Sequence, residues 1–61
     1  PMVSSVEFAA IAAAVGDLFG PEATREVFAR YDFSKQLLRD ATMQLPNAEY
    51  MRFLEACART V

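Results

Sequence analysis

Histidine and tryptophan are missing from this chain, cysteine occurs once and glycine twice. Each scarcity closes a route. Without histidine the commonest general base is gone, and with it the usual activator of a serine or cysteine nucleophile. A lone thiol, Cys57, permits no intrachain disulfide, and without histidine it cannot complete the usual ligand set of a structural zinc site. Gly16 and Gly20 make no phosphate loop, since neither stands ahead of a Lys-Ser or Lys-Thr pair. Basic charge is short as well. Six Lys and Arg face eight Asp and Glu, a formal net charge of −2, the wrong sign for a typical nucleic-acid surface. No charge-free stretch approaches the roughly 18 residues of a membrane span, and the N-terminus lacks the basic opening of a secretory signal. The chain reads as cytoplasmic, with no cofactor, no metal and no catalytic residue.

What is abundant is apolar surface. At 54% the apolar fraction exceeds the roughly 45–50% of an average soluble domain. The 61 residues make one domain, 1–61, and a chain of that size buries only about 60% of the surface its unfolded form exposes. Small domains compensate with disulfides, a metal, close helix packing or oligomerisation. The first two are struck out here.

The most apolar stretch is Phe8 to Val15, FAAIAAAV. Ser4 and Glu7 form a capping box ahead of it, with Val3 and Phe8 as a hydrophobic staple. Phe8, Ile11, Ala12, Val15 and Phe19 make one stripe at helical spacing, and Ala9, Ala10, Ala13 and Ala14 fill most of the remainder. Gly20-Pro21 ends this helix and starts the next, which presents Thr24, Val27, Phe28 and Tyr31 to the core and pairs Glu26 with Arg30 outside. Ser34 caps a third helix carrying Leu37, Leu38, Ala41 and Leu45, stopped by Pro46. Asn47 or Pro46 opens a fourth, striped with Tyr50, Phe53, Leu54, Cys57, Ala58 and Val61, with Glu55 and Arg59 paired on its outer side. The predicted fold is all-α: a compact bundle of four short helices, at about 4–19, 21–31, 34–45 and 47–60, with the first helix central and pressed from several sides.

Two comparisons bear on function. A free N-terminal proline is the base of the tautomerase superfamily, whose chains lead from it directly into a β-strand; Pro1 here is predicted to lead into a capped helix, so it is assigned no catalytic role. The predicted second and third helices, at about 22–44, have the length of a helix-turn-helix unit, which would offer Lys35, Gln36 and Arg39 to DNA. The turn lacks glycine, and Asp32 and Asp40 set negative charge beside the supposed phosphate contacts. DNA binding is therefore the alternative.

The first reading is a non-catalytic protein–protein interaction module, an inhibitor or adaptor or a self-associating regulator. Its partner is another protein or its own copy in a homodimer. Ala10, Ala13, Ala14, Met43 and Met51 are the apolar residues that a four-helix core leaves over, and they mark the expected interface. Cys57, on an apolar stripe, is expected to be a small core residue.

Overall fold

The computed structural model describes residues 1–31 and 43–61. The order of elements there is β1 (Met2–Ser4), α1 (Ser5–Phe19), α2 (Pro21–Arg30), β2 (Gln44–Pro46) and α3 (Asn47–Thr60). The prediction of an all-α four-helix bundle is therefore corrected. The described residues form three helices and a two-stranded antiparallel sheet, and they are mostly helical. Gln44 and Leu45, assigned to the end of a third helix, lie in β2. Met43, also assigned to it, is not helical, and 34–42 fall outside the described residues.

The sheet pairs Met2 with Pro46, Val3 with Leu45 and Ser4 with Gln44. Beyond it the Ser5 amide donates to the Met43 carbonyl at 2.8 Å, and the Asn47 amide donates to the Pro1 carbonyl at 3.1 Å. Hydrogen-bonded pairs alternate in an antiparallel ladder, so Pro46 sits in a non-bonded pair where its missing N–H costs the ladder nothing. Ser5 and Asn47 are also the first residues of α1 and α3. Each helix starts with unpaired amides, and here the residue flanking the opposite strand, Met43 or Pro1, accepts the first of them. The small sheet thus caps two helices at once. It also corrects the premise that Pro1 leads straight into a helix, because a strand follows it.

Ser4 is the N-cap of α1, as expected, but its side chain accepts from the Val6 amide rather than from Glu7. Gly20 joins α1 to α2 at φ 94° and ψ 164°, a region essentially reserved for glycine. Pro21 opens α2 at its first position.

The core gathers Phe8, Ala12, Val15, Val27, Tyr31, Phe53, Ala56 and Cys57. Phe8 and Phe53 are fully buried, their ring centroids 5.2 Å apart. Tyr50 meets Phe8 edge-on at 5.2 Å, and Tyr31 meets Phe53 edge-on at 5.7 Å. Such aromatic pairs add to their area burial. Two predicted stripes are corrected at their ends. Phe19 lies past the core and is 58% exposed, and on α3 Ala56 is buried while Val61 is 56% exposed and Ala58 is open to solvent.

The central position assigned to the first helix is corrected too. α2 is the helix that packs extensively against both others, whereas α1 and α3 touch less. Of α1 only Ser5, Phe8, Ala12 and Val15 are buried.

Candidate interaction surface

α1 and α2 approach closely because their facing residues are small. A Cβ added at Gly16 would stand 2.9 Å from the Thr24 hydroxyl oxygen, and that hydroxyl donates to the Ala12 carbonyl at 3.5 Å. Close approach leaves a groove along the outside of the seam. It is lined by Ala9, Ala12, Ala13, Gly16, Phe28 and the Pro21 ring, with Thr24 and Arg25 on the α2 side. The groove has a volume of about 590 Å³.

The groove opens onto the outer face of α1. Ala9, Ala10, Ala13 and Ala14 are all exposed, and Val6 is 49% exposed. Val6, Ala10, Ala13 and Asp17 fall at +4, +3 and +4 spacing, which sets them in one line along the helix. At the helical rise this line runs about 17 Å. Glu7 and Ala14 flank it on one side and the groove on the other. Glu7 and Asp17 are exposed, and no described residue forms an ion pair with either.

Among the residues expected at the interface, the structure brings Ala10, Ala13 and Ala14 together on this face. It does not bring the methionines to them. Met43 is half-buried beside β2, where its carbonyl caps Ser5, and Met51 is 56% exposed on α3. Val6, Pro21 and Phe28 belong to the surface and were not assigned to it from sequence. The +4, +3, +4 spacing was a readable signal for Val6. Nothing local marks Pro21 and Phe28, which reach the groove only through the helix crossing. Lys35, Gln36 and Arg39, the DNA-binding alternative, lie outside the described residues.

A second cleft lies between α2 and α3, lined by Arg30, Tyr31, Glu49, Arg52, Glu55, Ala56 and Arg59. Its character is different. Arg52 pairs with Glu49 at 3.2 Å and Arg59 with Glu55 at 2.8 Å. The predicted Glu26–Arg30 pair is not formed among the described residues; Arg25 instead reaches Glu22 at 2.8 Å. At the base the Tyr31 hydroxyl donates to Glu49 at 2.8 Å. Burial first, then the bond to Glu49 and its negative charge, raise the Tyr31 pKa to about 12. Cys57 is buried in the core, and that burial raises its thiol pKa. Thiolate is the reactive form, so this environment suppresses nucleophilicity.

No helix of the described residues is long and apolar enough to cross a membrane. No family model matches the chain, and no match is found among curated proteins or solved structures.

Proposed function

We propose that this chain is a non-catalytic protein-interaction module, in the manner of a small inhibitor or adaptor, and that it docks a helix on the outer face of α1. The observation that carries the reading is the continuous exposed surface of Ala9, Ala10, Ala13 and Ala14 with the apolar groove beside it. Alanine is the best helix former, which accounts for its use in α1 without explaining why charge is so scarce on the solvent side. The other helices carry ion pairs on their outer faces. A flat surface of small side chains lets a second helix backbone come close and bury apolar area over its length.

The test is binding of amphipathic helical peptides of either charge, followed by fluorescence anisotropy, to the wild-type chain and to Ala13→Arg. Loss of binding in Ala13→Arg, with helical content and thermal midpoint unchanged, supports the reading. A dimer of the chain itself that Ala13→Arg separates also supports it, with a second copy as the partner. Absence of any association at this face, or equal binding by Ala13→Arg, refutes it.

A further inference from the structure

We draw no further inference here: the strongest candidate, the apolar groove along the α1–α2 seam with the exposed alanine face of α1 onto which it opens, carries none because nothing in the structure shows what covers it.

Discussion

α1 and α3 are near equals on the inside and opposites on the outside. Each sends one fully buried phenylalanine, Phe8 or Phe53, into the same aromatic cluster. Outside, α3 carries two ion pairs, whereas α1 shows alanines, Val6 and two carboxylates that form no ion pair among the described residues. The inner similarity is the ordinary requirement of burial. The outer difference is not required by folding, since either surface could be solvated. It is the difference on which the proposed docking face of α1 rests.

The inner equivalence is broken most directly by truncating the rings. Phe8→Ala and Phe53→Ala are each expected to cost about 3–5 kcal/mol, enough to leave a domain of this size largely unfolded. Urea denaturation checks it, and a marked inequality between the two would show that one helix dominates the core.

The link between α1 and α2 comes next. Gly20→Ala forces an L-residue into the backbone region at φ 94° and is expected to destabilise by about 1–3 kcal/mol. A midpoint unchanged from wild type would mean that the turn relaxes freely.

On the α3 side, pH reports on Tyr31. Its pKa is raised to about 12 from 10.0, so between those values the unfolded chain releases a proton that the folded chain retains. Stability conferred through this group is constant below the lower value and falls as pH rises from it towards the upper one. Tyr31→Phe is expected to be less stable at neutral pH but to lose this part of the alkaline dependence. Denaturation of the two chains at matched alkaline pH measures the difference, and parallel curves would contradict it.

The smallest effects lie on the outer faces. Arg59→Ala breaks an exposed pair with Glu55 and should cost no more than about 0.5 kcal/mol. Ala14→Lys on α1 should change folding as little. The contrast is expected in association instead, where only the α1 variant interferes. Equal effects of both variants on peptide binding would erase the distinction between the two faces.

The helices of the described residues could be read in the chain because their causes are local. Ser4 at the cap, Gly20-Pro21 at the break and the stripes containing Phe8, Val27 and Phe53 act within a few residues of themselves. The exposed alanines could be read only as a surplus. Apolar composition gives their number but not the side of the molecule on which they lie, and Met43 and Met51 were grouped with them on that composition alone. Pro46 illustrates the limit. Its effect on Leu45, steering it from the α region, was legible, yet the strand it belongs to was not. Three residues are too few for an alternating pattern to register.

By itself, then, the sequence determined the extents of α1, α2 and α3 to within a residue and the middle of each buried stripe, and it excluded an intrachain disulfide and histidine chemistry. Only the tertiary structure decided that Met2–Ser4 pairs with Gln44–Pro46 and that the resulting sheet caps α1 and α3. Only it decided that α2, not α1, bridges the other helices. The reason is physical. Strand pairing joins residues some forty positions apart through backbone groups that every residue carries, so side-chain pattern cannot announce it. Once that pairing and the close α1–α2 contact at Gly16 take up the inner face of α1, the opposite face is left to solvent or to a partner.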